Sequence, residues 1–290
     1  GVSITINAPG VPTALTATTT NKLDGQAKSY GIRLNWASNE GSFPIIKNHV
    51  FKGITLLDTV AGDESTLPIT TAGTFTFDVQ SQDVAGNSGS KASVTITVDP
   101  PRQPALSQRF EGSNFVLSWT ENQGDFPIDG YEIRRGGSSW ETATEVDTVK
   151  ARELRVNADW LDTLIWRVKE IDVAGNFGPE GAISATITPP AAPPNMTSKV
   201  IAIDVLLNWD TVQGTLPTEQ YRVYRNSDPA AAFTHGATAR ILAVDGTFAS
   251  IKEDTPQDVR YWVTAVDTAG NESDPSTAVV TVEALNDFIV

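Results

Sequence analysis

The chain has 290 residues, 40% of them hydrophobic, with 35 acidic against 21 basic side chains and a net charge of −14. That length allows two or three domains with their own cores, and the acidic excess argues against nucleic-acid binding. Cysteine is absent, which excludes disulfides and thiolate metal sites, and no apolar run reaches the roughly 18 residues of a membrane-spanning helix.

The opening Gly1-Val2-Ser3 has no initiator Met and no basic, apolar leader, which predicts a part of a longer polypeptide. The first patterned element is Ile32-x-Leu34-x-Trp36, apolar at every second position, as in a strand with one buried face. A turn at Pro44 leads to a strand through Val50, and a longer one turns Phe75, Phe77, Val79 and Ser81 inward. Asp83-Val84-Ala85-Gly86-Asn87 ends that strand, and Ala92-x-Val94-x-Ile96-x-Val98 supplies a closing one.

After the proline-rich joint Asp99–Pro104 the same series recurs. Phe115-x-Leu117-x-Trp119, Pro127 and Ile133 are followed by the inward set Leu164, Trp166, Val168 and Glu170. Glu170 breaks the apolar pattern and is expected near the end of the sheet, in reach of water, because a buried unpaired carboxylate costs several kcal/mol. Asp172-Val173-Ala174-Gly175-Asn176 and a strand through Ile187 complete the second copy.

A second joint, Pro189–Pro194, precedes the third copy. It runs through Val205-x-Leu207-x-Trp209, Pro217, Val223, the inward set Val259, Tyr261, Val263 and Ala265, and Asp267-Thr268-Ala269-Gly270-Asn271. Its insertion Asp228–Gly236 is expected to form one helical turn capped by Asp228, with Pro229 first. Residues 283–290 read as the start of a following segment.

The three pentapeptides lie 89 and 95 residues apart, a spacing that suits a β-sandwich and not a solenoid repeat. Each has a local explanation as a hairpin connection. The Asp carboxylate accepts backbone N–H groups, while Gly followed by Asn supports a left-handed residue after a type I turn. Trp36, Trp119 and Trp209 are the expected core residues, large enough to fill the space between two sheets. Proline joints stiffen a linker, which predicts rigid spacing on the order of 100 Å for three sandwiches in line.

The Trp strand, the Tyr131-x-Ile133 and Tyr221-x-Val223 strands and the Val263–Asp267 strand resemble fibronectin type III domains. The resemblance runs from about Ala8 to Val282 and implies an all-β chain of three tandem immunoglobulin-like sandwiches. They span 8–98, 99–188 and 189–282, after an N-terminal extension 1–7. Two departures stand out. Phe75, Leu164 and Val259 replace the family's corner tyrosine, and Asn48 stands where the other copies have Tyr131 and Tyr221. Within the second copy, Gly130–Thr144, with its Ser138-Ser139-Trp140-Glu141 core, is similar to repeats in host-specificity (tip attachment) proteins of lambda-type, long-tailed bacteriophages.

No catalytic group or cofactor is expected. His49 and His235 fall in different copies, and no nucleophile elbow, phosphate loop or zinc-protease motif is present. Asp125 with Asp129 reads as solvated loop carboxylates instead of a glycosidase pair. Asp99, Asp83 with Asn87 and Asp172 with Asn176 offer hard oxygen ligands, yet the turn accounts for them and calcium needs six or more. Trp140 and Trp262 are candidate surface contacts for a sugar, but the favoured reading is packing, with Trp140 over a sheet edge and Trp262 on an outward strand face against neighbouring side chains.

The phage resemblance implies a non-catalytic virion component of a tail tip or central fibre. Its partners would be other tail proteins, a homotrimer of itself and a bacterial surface receptor or glycan. The alternative is a spacer or carbohydrate-binding array of a secreted bacterial hydrolase. Neither reading involves nucleic acid or membrane insertion.

Overall fold

A computed structural model describes residues 1–20 and 30–283; the expected following segment lies, apart from Glu283, outside them. The described chain is built of strands and contains no helix. The first seven are β1 (Thr13–Thr20), β2 (Gly31–Ala37), β3 (Ile45–Lys52), β4 (Thr55–Val60), β5 (Glu64–Pro68), β6 (Gly73–Asp83) and β7 (Ala92–Val98). The next seven are β8 (Ala105–Glu111), β9 (Asn114–Thr120), β10 (Ile128–Arg135), β11 (Thr144–Val149), β12 (Glu153–Asn157), β13 (Asp162–Asp172) and β14 (Gly181–Ile187). The last seven are β15 (Thr197–Ile201), β16 (Asp204–Asn208), β17 (Thr218–Asn226), β18 (Arg240–Val244), β19 (Phe248–Lys252), β20 (Gln257–Asp267) and β21 (Ser276–Val282).

Each set of seven makes the same two sheets. The first forms a three-stranded sheet β1-β2-β5 and a four-stranded sheet β4-β3-β6-β7. The second forms β12-β9-β8 and β11-β10-β13-β14, and the third β15-β16-β19 and β18-β17-β20-β21. In each set the chain thus crosses between sheets after the second, fourth and fifth strands, which builds the two faces of a sandwich.

Period-two alternation puts one side of each long strand in the core. Ile32, Leu34 and Trp36 of β2 pack with Val50, Phe77 and Val79 of the facing sheet. Val205, Leu207 and Trp209 do the same with Val223, Tyr261 and Val263. In the second copy Phe115 stacks on Trp166, ring centres 4.9 Å apart, and Trp119 meets Tyr131 edge-on at 5.2 Å. The Trp strands therefore lie across the sandwich from the long sixth strands.

By Cα proximity the described chain groups into two compact units. One holds Gly1–Leu106, Trp119–Arg152 and Arg167–Ala182; the other holds Ser107–Ser118, Glu153–Trp166 and the remainder from Ile183. The division does not follow the proline joints. Within the first unit Phe126, Val173 and Ala174 of the second copy join the core cluster of the first, beside Tyr30 and Ile69. Phe126 is fully buried and its ring lies 5.6 Å from that of Tyr30.

Two expectations need correction. The Asp228–Gly236 insertion is a turn and not a helix, although the Asp228 carboxylate does cap it, accepting the Ala230 N–H at 2.8 Å. Glu170 does not reach water: it is fully buried.

Candidate functional site

The repeated pentapeptides are built alike at atomic level. In each, the Asp carboxylate accepts the backbone N–H of the Asn four residues on, at 2.8 Å for Asp83 and 2.9 Å for Asp172 and Asp267. Its other oxygen takes the Asn side-chain amide, at 2.9, 2.9 and 3.0 Å. The backbone N–H of each Asp returns to the Asn carbonyl. Gly86, Gly175 and Gly270 hold φ of 86°, 85° and 87°, a left-handed conformation that a β-carbon disfavours.

Both oxygens of each carboxylate are thus bonded within the turn, and all three Asp are buried. For Asp83 burial opposes ionisation, but the Asn87 side chain and the backbone N–H groups outweigh it and hold the carboxyl below the usual aspartate range. No group of three or more metal-ligating side chains occurs among the described residues. Asp99 is engaged otherwise, pairing with Asp125 through its backbone and with Arg102 at 3.9 Å.

The expected sugar contacts are covered in different ways. Trp140 is half-buried, with the Arg134 guanidinium and the Lys169 ammonium each 4.6 Å from its ring. Arg134 also donates to the Trp140 carbonyl at 3.0 Å. Cations over the ring occupy the face that a sugar would stack on. Trp262 is not a surface residue: it is buried, with Phe233 of the insertion 5.9 Å from it. Trp262 lies outside the core cluster that holds Val259, Tyr261, Val263 and Ala265, and the insertion covers it through Phe233.

Three polar clusters join side chains from separate parts of the chain, and two of them, around Glu272 and Glu253, escaped the sequence reading. Glu272 accepts Arg222 at 2.7 Å, Tyr224 at 2.5 Å and Thr264 at 2.5 Å, with His235 Nδ1 3.9 Å away. Burial would raise its pKa, but these donors win and lower it. Glu253 pairs bidentately with Arg225 at 2.6 and 2.7 Å and accepts the Tyr261 hydroxyl; the Arg225 bonds in particular lower its pKa. Asn48, fully buried, accepts Ser81 at 2.6 Å and donates to the Gly62 carbonyl at 3.0 Å. It replaces a tyrosine hydroxyl with an amide and pairs it inside the core. For Asn48 the signal was a polar residue at an inward strand position; Glu253 and Glu272 lie outside the strands and carried none.

Glu170 is the exception among the buried carboxylates. One oxygen accepts the Asn122 N–H at 2.9 Å, while the other has no partner among the described residues. Burial and the neighbouring Glu121 raise its pKa, against the Asn122 bond. His49 bonds Thr59 at 3.0 Å, far in sequence from the Glu272 cluster beside His235. An open groove of about 270 Å³ is lined by Asp99, Pro100, Pro101, Arg102, Gln103 and Pro179.

Three equal closures on three equal pairs of sheets decide the class. These are fibronectin type III-like sandwiches in tandem. No family model matches the chain. It is 29% identical to exoglucanase A of Cellulomonas fimi over 94% of its own length and 32% of that enzyme's. It is 30% identical to chitinase A1 of Niallia circulans over 55% of its length and 24% of that enzyme's. It therefore spans a third or less of the curated relatives it matches. Among solved structures, the FN1–FN3 domains of chicken CNTN1 align over 96% of the chain and 100% of theirs, at 13% identity and a TM-score of 0.30.

Proposed function

We propose that this chain is the non-catalytic fibronectin type III-like array of a secreted bacterial polysaccharide hydrolase, holding other parts of that polypeptide apart. The carrying observation is the similarity of nearly the whole chain to one third of an exoglucanase. The side chains agree with it. Of the two carboxylates weighed as a glycosidase pair, Asp125 accepts the Asp99 N–H at 2.6 Å and Asp129 the Lys150 ammonium at 2.8 Å, and Trp140 is held under two cations. Identifying by mass spectrometry the polypeptide that carries this chain in the source culture tests the reading. A catalytic hydrolase domain on the same polypeptide supports it; its absence sinks it.

A second reading is a tail-tip or central-fibre component of a bacteriophage virion, acting in host attachment beside other tail proteins. The observation favouring it is the segment around Ser139-Trp140-Glu141. Within it the Ser139 hydroxyl bonds Glu141 at 2.7 Å and Arg134 ties the Trp140 carbonyl. Immunogold labelling of tails would favour this reading over the first.

A further inference from the structure

Residues 7–10 are bound to the first sandwich as residues 99–102 are bound to the second. The Ser42 N–H donates to the Asn7 carbonyl at 2.9 Å and the Asp125 N–H to the Asp99 carbonyl at 3.1 Å. Gly10 donates to Asn39 and Arg102 to Asn122, both at 2.8 Å. The return bond is also matched: the Asn7 N–H reaches the Ser42 hydroxyl at 2.9 Å and the Asp99 N–H the Asp125 carboxylate at 2.6 Å. Even the close approach recurs, since a β-carbon on Gly41 would collide with the Asn7 and Ala8 carbonyls, and one on Gly124 with those of Asp99 and Pro100.

That correspondence fixes a register of 92 residues, from Asn7 to Asp99 and from Gly10 to Arg102. In the same register Val2-Ser3-Ile4-Thr5-Ile6 falls on Val94-Thr95-Ile96-Thr97-Val98, the end of β7. Val94, Ile96 and Val98 pack into the core of the first sandwich. Val2, Ile4 and Ile6 have the same alternation but are 93%, 82% and 59% exposed. The end of the first sandwich repeats the theme. Phe126 and Val173 of the second are covered by Tyr30 and Ile69 of the first, whereas their counterparts Phe43 and Val84 are half-buried and 60% exposed.

We infer that Val2–Ile6 is the closing strand of a further fibronectin type III-like sandwich, and that Phe43 and Val84 form the surface on which that sandwich sits. The occupant is set by the equivalent joint, where a preceding sandwich supplies an aromatic and an aliphatic side chain to the same two positions. A strand with three bare apolar side chains cannot bury them alone. The inference is independent of whether the parent is a hydrolase or a virion protein.

Hydrogen–deuterium exchange on the polypeptide as the source makes it, compared with the 290-residue chain, is the test. Peptide 1–7 should exchange at once in the 290-residue chain and slow to the rate of peptide 92–98 in the natural polypeptide. Val84→Asp should leave the melting of the 290-residue chain unchanged and lower the first transition of the natural polypeptide. Equally fast exchange of peptide 1–7 in both, or a natural polypeptide with no sandwich ahead of Val2, overturns the inference.

Discussion

Each Asp-x-Ala-Gly-Asn turn depends on one carboxylate that satisfies several donors at once. Asp267→Ala leaves the Asn271 amide groups and the Ala269 N–H without acceptor, which should cost about 1–3 kcal/mol, measured by urea denaturation. The Asp83 carboxyl titrates below its unfolded value, so its contribution is present above the unfolded pKa and lost as pH falls through the folded one. Glu170 has the opposite sign. Its folded pKa is raised, so stability declines as pH rises from the unfolded value to the folded one. Glu170→Gln should therefore stabilise the chain at pH 7 and have little effect at pH 4, seen as a change in denaturation midpoint at the higher pH alone. The turns were legible in the sequence because their bonds are local, all within five residues. Glu170 was not: reach to water depends on what the facing sheet and the Asn122 loop place over it, and no local pattern encodes that.

Strand identity was readable wherever one face is apolar and the other polar, as in β2 or β6, since a pleated strand has only two faces. Pairings between side chains on different strands were not. Glu253 and Arg225 lie 28 residues apart, and nothing near either announces the other. Glu253→Ala should cost about 3–5 kcal/mol, because it strands the Arg225 guanidinium in a largely buried place; thermal melting against wild type measures it. The lidded Trp262 teaches the same point about insertions. A Phe233→Ser change should raise the exposure of Trp262, read as a red shift of tryptophan emission. The element joining the first two sandwiches can be tested too. Tyr30→Ala removes the ring against Phe126 and should cost about 1–2 kcal/mol, less than the ~3–5 kcal/mol of a fully buried aromatic. Scanning calorimetry should then resolve the melting of the first sandwich from that of the second.

For the molecule as a whole, the function proposed above assigns three like sandwiches, with their buried Asp carboxylates bonded within turns, to the support of chemistry done elsewhere. If the parent is a hydrolase, excising residues 99–188 should leave turnover of a soluble oligosaccharide unchanged and reduce attack on the insoluble polymer. Turnover assays on both substrates check it. The repeated plan was visible in the sequence because the same short words recur. The seam between neighbouring copies was not, because Tyr30 and Ile69 belong to no repeated word and nothing near Phe126 announces them. The double latch at Asp99 has a mechanical meaning. Tension pulled along the backbone reaches Asp99, already gripped at both its N–H and its carbonyl by Asp125, before it reaches β8. Load would thus be handed to the next sandwich at the start of β10, sparing its first strand from being peeled away.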